Sequence, residues 1–246
     1  MAHMMAVSHL LATSSENVDF MVHGLLKYRL FGQDLWITTT HVSILIVMLL
    51  LIIFFIVVHR KMKKKDPNEV PGGFQNVVEL IVEMVDGLVS ANMGKNAKKF
   101  ANYIGTIFIF ILISNISGLF GIRPPTADYG VTLPLALITF VMIHYNDIKH
   151  NRSGAFTSLL EPIPLFLPIN LIGEVAVPIS MSLRLFSNIL SGTVMMALVY
   201  GLLPIFVKIG IPAFLHIYFD LFAGAIQTYV FCMLTMVYIN DKLSDE

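Results

Sequence analysis

Charge is what this chain has least of. Asp, Glu, Lys and Arg make up 13% of its 246 residues, whereas a soluble domain carries about 25%. That is too little polar surface to keep a folded chain of this size in water. The two signs balance, 16 Lys and Arg against 16 Asp and Glu, so no basic excess points to a nucleic-acid partner. Cysteine is reduced to Cys232, which excludes a disulfide framework, and in its apolar run it reads as a small buried hydrophobe. There is no Walker A loop, no His-Glu-x-x-His zinc pair and no nucleophile elbow. Neither catalytic residues, a metal nor a cofactor are therefore expected, which argues against a membrane-embedded enzyme. Neither half repeats the other, as the halves of many secondary transporters do. Residues 1–40 lack a basic stretch followed by an apolar core, so no cleavable signal peptide is expected, and they carry no usable motif.

What is abundant is apolar. Hydrophobic residues reach 56% and mean hydropathy is +0.77, which fits one integral membrane domain over 1–246. Residues 42–58 form an apolar run long enough as a helix to cross most of a roughly 30 Å hydrocarbon core. The run ends in the basic cluster His59-Arg60-Lys61-Met62-Lys63-Lys64-Lys65. Such a cluster stays cytoplasmic, which places segment 1–40 outside the cytoplasm. Residues 101–120 and 131–145 read as two more spans, separated by the helix breakers around Gly121, Pro124, Pro125 and Gly130. Two longer stretches follow, 165–203 and 211–239. The spacing thus predicts an all-α polytopic fold with about five transmembrane helices and a cytoplasmic C-terminus. Every lysine and arginine except Lys27, Arg29, Arg123, Arg184 and Lys208 falls on the cytoplasmic side of that topology.

Residues 71–95 follow a different pattern. Val77, Val78, Ile81, Met84, Val85 and Leu88 recur at helical spacing, beside a narrow stripe of Glu79, Glu83, Asp86 and Ser90. This is an amphipathic helix, expected to lie in the interface rather than to cross. At 1.5 Å per residue, a helix over 165–203 would be nearly 60 Å long, about twice the hydrocarbon thickness. It must tilt steeply or break near Pro178, and length does not choose between these.

The most informative residue is Arg184. An arginine near a helix centre costs about 2.5–3.5 kcal/mol on insertion scales, so it needs a partner, a wet cavity or another subunit. Apolar residues continue well past it, which argues against snorkelling to the interface. Asn188 and Ser191 lie one and two turns on, along the same face. Asn188 by itself could equally serve as a helix–helix hydrogen bond. Glu174 lies ten residues before Arg184. In the last stretch Asp220 and Gln227, seven residues apart, share a face with Gly224 between them. Apolar surroundings favour the protonated form of a carboxylate, so Asp220 could take up and release a proton, unless it is simply hydrated at a helix end. His216, one turn before Asp220, could join the same aqueous path.

At Ser182-Leu183-Arg184-Leu185-Phe186-Ser187-Asn188-Ile189-Leu190-Ser191-Gly192 the chain resembles subunit a of the F-type ATP synthases. Two further matches follow the family order. One is Pro124-Pro125-Thr126-Ala127-Asp128 with Val131-Thr132-Leu133 and Leu135-Ala136-Leu137; the other runs from Gln227 through Thr228-Tyr229-Val230-Phe231 to Tyr238. The resemblance implies a stator subunit in a bacterial plasma membrane, packed against a ring of c subunits and joined to the b subunits of the peripheral stalk and the rest of the complex. It implies two tilted helices and two offset half-channels, with Arg184 facing the ring carboxylate and Asn188 and Gln227 as its polar neighbours. The ion is taken as the proton, with Na+ left open because the binding carboxylate belongs to the ring. Ser187 stands where the family has glycine, and Thr193 where many members have glutamate or histidine. Asp220 is expected to supply the relay group that Thr193 does not, and Glu174 to line the same path. The competing expectation is a self-contained ion channel or transporter gated by Arg184.

Overall fold

A backbone can cross lipid only if its polar groups are satisfied internally, and a single helix achieves this alone. The computed structural model describes residues 24–30, 33–63, 72–150, 163–202 and 210–243. Within them lie α1 (Thr39–Lys63), α2 (Gly73–Met93), α3 (Ala97–Ile116), α4 (Tyr129–His150), α5 (Leu167–Leu202) and α6 (Ile211–Asp241). Among the described residues five helical segments are long and apolar enough to cross a membrane, with α2 and α3 counted together as Gly73–Phe120. The expected all-α polytopic architecture is therefore observed. Lys64, Lys65, Arg152, Pro204 and Lys208 lie outside the described residues.

The core is built mainly by α2, α3 and α6. Val85, Val89 and Met93 of α2 pack with Phe100, Ile104 and Ile111 of α3 and Phe231, Cys232 and Met236 of α6. The chain turns through Gly94–Asn96, and Val85 Cγ1 lies 3.3 Å from where a Cβ on Gly105 would stand. Contact between positions 85 and 105 across that turn makes α2 and α3 an antiparallel hairpin. The buried edge of α2 is narrower than its apolar pattern suggests: Val78, Val85, Val89 and Met93 are covered, while Val77, Ile81 and Met84 face outward. Outward apolar residues beside acids suit the boundary between lipid and water.

Helix α1 touches the bundle along one stripe, Thr40, Ser43, Val47 and Leu51, and its other faces are exposed and apolar. Helix α5 resolves the alternative that length left open. It runs unbroken for 36 residues with Pro178 inside it, about 54 Å at 1.5 Å per residue. Helix α6 is also continuous, but Ile217–Ala223 is wound as a π-helix.

One element has no counterpart in the sequence reading. Strands β1 (Gly24–Leu30) and β2 (Gln33–Thr38) form an antiparallel hairpin that leads into α1. Lys27 and Arg29 of β1 both reach Asp34 of β2, at 2.8 and 3.2 Å, and Lys27 also lies over the Trp36 ring. These pairs are exposed, so each adds little stability. A two-stranded hairpin has too short a pattern to stand out beside helices of over twenty residues.

Candidate functional site

Arg184 sits in the middle of α5 on a face that no other described element covers. Ser182 and Leu185 are buried behind it, whereas Leu183, Arg184, Ser187 and Ser191 are exposed. Among the described residues Arg184 makes no hydrogen bond or ion pair. Its expected neighbours turn elsewhere. Asn188 donates from Nδ2 to the Ala223 carbonyl at 3.4 Å, which ties α5 to the end of the π-helical stretch. Ser191 donates to the Asn188 carbonyl, and Thr193 to that of Ile189, both within α5. Gln227 is buried on α6, and its Nε2 has no hydrogen-bond partner among the described residues.

Two polar groupings flank Arg184 along the bundle. The first surrounds a cavity of about 230 Å³ lined by Gly118, Gly121, Ile122, Arg123, Pro124, Ile189, Thr193, Met196, His216 and Asp220. It brings together Asp220, His216 and Thr193, three residues singled out from the sequence. The Asp220 carboxylate bonds His216 Nδ1 at 2.6 Å, and His216 Nε2 lies 3.2 Å from the Tyr200 hydroxyl. The carboxylate fits because Gly118 has no side chain: a Cβ there would meet it at 2.9–3.1 Å.

The second grouping lies at the opposite end of α4 and α6. Lys242 Nζ is 2.9 Å from Glu174 and 3.5 Å from Asp147, and His144 Nε2 is 3.6 Å from Glu174. Burial alone would lower the Lys242 pKa, but the hydrogen bond and charge of Glu174, with those of Asp147, outweigh it and hold the pKa above its usual value. Glu174 thus does not join the Asp220 cavity, contrary to the expectation that it lines the same path. Ten residues of α5, about 15 Å, separate it from Arg184 on one side; nine, about 13 Å, separate Arg184 from Thr193 on the other. The helix runs unbroken through Pro178, which holds the two at separate levels along it.

A third set is structural. Asn115 Nδ2 donates to the Gly224 carbonyl at 2.9 Å and to Thr228 Oγ1 at 3.2 Å, and Asn115 Oδ1 accepts from Thr126 Oγ1 at 2.7 Å. All three side chains are fully buried. Gly224 is needed because Asn115 Cβ lies 2.9 Å from where its Cβ would be. The motif containing Pro124-Pro125-Thr126 is thereby fastened to α3 and α6 beside the cavity. Asn115, Gly118, Tyr200 and Lys242 were not foreseen from the sequence. Only Asn115, a polar residue inside an apolar span, carried a signal there.

The family model described as ATP synthase A chain matches residues 41–240. The chain belongs to the ATP synthase subunit a family. Among its relatives, "ATP synthase subunit a, sodium ion specific" of Propionigenium modestum is 42% identical over 198 residues, 74% of this chain and 67% of that protein. ATP synthase subunit a of Priestia megaterium is 36% identical, over 72% of this chain and 81% of its own. That of Sulfurihydrogenibium sp. is 33% identical, over 73% and 87%. Membership of the subunit a family makes this a multi-pass bacterial membrane protein and the ion-translocating stator component of an ATP synthase membrane sector. The family expectation drawn from the Arg184, Pro124 and Gln227 motifs is borne out.

Proposed function

We propose that Arg184 separates two half-channels that open to opposite sides of the membrane, and that its uncovered face docks against the carboxylate-bearing c-ring. The observation that carries this is the position of Arg184, exposed and without a partner among the described residues, between the Asp220 cavity and the Glu174–Lys242 cluster. An arginine keeps its charge in proteins, so it cannot hand on a proton itself. It attracts a ring carboxylate into its ionised form and repels a cation that would leak straight across. Each ion must therefore ride the ring from one half-channel to the other. Moving one charge through the field supplies about 2.3 kcal/mol per 100 mV.

In this reading Asp220 receives the ion on the extracytoplasmic side, where Thr193 offers no charge, and Glu174 belongs to the cytoplasmic side. Asn188 holds α6 against α5, and Gln227 supplies a buried donor near the ring face. The hairpin lies outside the cytoplasm, the C-terminus inside, and α2 in the cytoplasmic interface. The partners are the c-ring, the b subunits of the peripheral stalk, the rest of the complex and lipid. The subunit itself carries no catalytic residue.

Arg184→Ala should abolish ATP-driven ion pumping in membrane vesicles while the complex still assembles; retained coupling would sink the proposal. The same result separates it from a self-contained channel, which would conduct without a ring. On the 42% identity to the sodium-specific relative we assign Na+ rather than H+ as the coupling ion. ATP-driven Na+ uptake into inverted vesicles should then persist when a protonophore is present. Uptake that a protonophore abolishes would return the assignment to H+.

A further inference from the structure

The β1–β2 hairpin has no role in the proposed ion path, yet it carries Trp36, the only tryptophan of the chain. Its register sets Lys27 opposite Trp36 and Arg29 opposite Asp34. Side chains alternate across a sheet, so these four share one face. Lys27 Nζ lies 5.7 Å from the centre of the indole ring, and Asp34 takes both cations, Lys27 at 2.8 Å and Arg29 at 3.2 Å. The ring is also fixed from the facing strand, where a Cβ on Gly24 would meet it at 2.5–3.2 Å. Trp36 is nevertheless 51% exposed. A fixed, exposed indole beside two cations that share one carboxylate suits a partner that is both apolar and anionic.

The path of the chain says where that partner lies. Strand β2 ends at Thr38 and α1 begins at Thr39, with no loop between them. The Thr38 N–H donates to His41 Nδ1 at 3.3 Å, and the Thr38 hydroxyl lies 2.7 Å from the same nitrogen, which closes the junction. From Val42 onward α1 exposes apolar side chains, Leu45 and Ile46 among them. Trp36 therefore stands within about 15 Å of the first lipid-facing residue. An indole favours the boundary between hydrocarbon and water, where its ring is covered and its N–H stays wet. Lysine and arginine beside it match the phosphates of lipid headgroups.

We propose that the hairpin is a headgroup anchor: the face bearing Trp36 lies against the outer leaflet, with the indole among the headgroups and Lys27 and Arg29 on lipid phosphates. This rests on the orientation that places the hairpin outside the cytoplasm. Interfacial anchors set the tilt and rotation of the helix they adjoin. Helix α1 needs one, because it meets the bundle only along Thr40, Ser43, Val47 and Leu51.

The test has two arms. In the full chain, reconstituted into phosphatidylcholine bilayers containing phosphatidylglycerol, Trp36 is the only source of tryptophan emission. That emission should be shifted to shorter wavelength than in water, quenched by lipid brominated high on the acyl chain, and resistant to iodide. In the whole complex in proteoliposomes, a phospholipid with a photoreactive headgroup should leave adducts on residues 24–38. Lys27→Gln combined with Arg29→Gln should lower the adduct yield, by up to about fivefold for each charge. Asp34→Asn should raise the yield, whereas ion pairs that only held the hairpin together would make it fall. Water-like emission open to iodide, a complex without adducts on 24–38, an unchanged yield in the double variant or a lower yield in Asp34→Asn would overturn the inference. Lipid contact seen in the isolated chain and lost in the complex would overturn it too, by giving the face to another subunit. Orientation is read separately from Arg123→Cys in a Cys232→Ala background. Reaction of that cysteine with an impermeant maleimide from the cytoplasmic side, with the adducts present, would overturn the orientation and leave the lipid contact standing.

Discussion

Asn115 uses both ends of its amide group, donating to Gly224 and Thr228 of α6 and accepting from Thr126 of the loop before α4. Replacing it with alanine leaves the buried Thr126 hydroxyl without its acceptor, at about 1–3 kcal/mol before relaxation, and removes the tie to α6, where Thr228 Oγ1 still donates to the Gly224 carbonyl. Asn115→Ala should therefore lower the thermal stability of the detergent-solubilised subunit far more than a surface substitution on α1. Gly118→Ala makes the opposite kind of prediction. Its methyl would displace the Asp220 carboxylate, which a Cβ there meets at 2.9–3.1 Å, so ion pumping should fall while assembly with the ring persists. Lys242 gives a pH prediction. Its pKa is raised by Glu174 and Asp147 against the effect of burial, so the pairing stabilises the fold from neutral pH up to the unfolded value of about 10.4. That contribution is lost as pH climbs through the raised folded value. The stability difference between the parent and Lys242→Gln should thus stay constant from neutral to mildly alkaline pH and shrink only beyond it, as thermal melts across pH would show.

Elements respond to the same chemistry over longer distances. The π-helical stretch Ile217–Ala223 holds Asp220, and wide turns of this kind leave backbone groups that neighbours must satisfy. Asn188 from α5 and Asn115 from α3 donate to the successive carbonyls of Ala223 and Gly224, where that stretch ends. Deleting Ile217 would let α6 rewind toward α-helical register and turn His216 by about 100° relative to the residues after it. Pumping should be lost while the complex still co-purifies. In α5, Pro178 removes one backbone hydrogen bond without ending the helix. Packing against α4 and α6 sustains it, which a single-chain pattern does not reveal.

At the scale of the molecule, exposed apolar side chains cover α1 and the outer faces of α5 and α6, and only lipid or neighbouring subunits can cover them. The topology can be tested with the lone cysteine, Cys232, which is fully buried. In a Cys232→Ala background, a cysteine at Arg123 should react with an impermeant maleimide from the extracytoplasmic side, and one at Lys149 from the cytoplasmic side. Reaction of both from one side would refute the orientation. The spans, the amphipathic α2 and the anomalous Arg184 were all legible in the sequence, because hydropathy and helical period are local properties that lipid enforces residue by residue. The Asp220–His216 pair, one turn apart on α6, was legible as well. The rest of the two polar groupings was not: Asp220 meets Gly118, and Glu174 meets Lys242 and His144, through contacts between segments up to about a hundred residues apart. Only packing decides those, because an unbroken α5 holds the two groupings at separate levels and the turn after α3 brings Gly118 to α6.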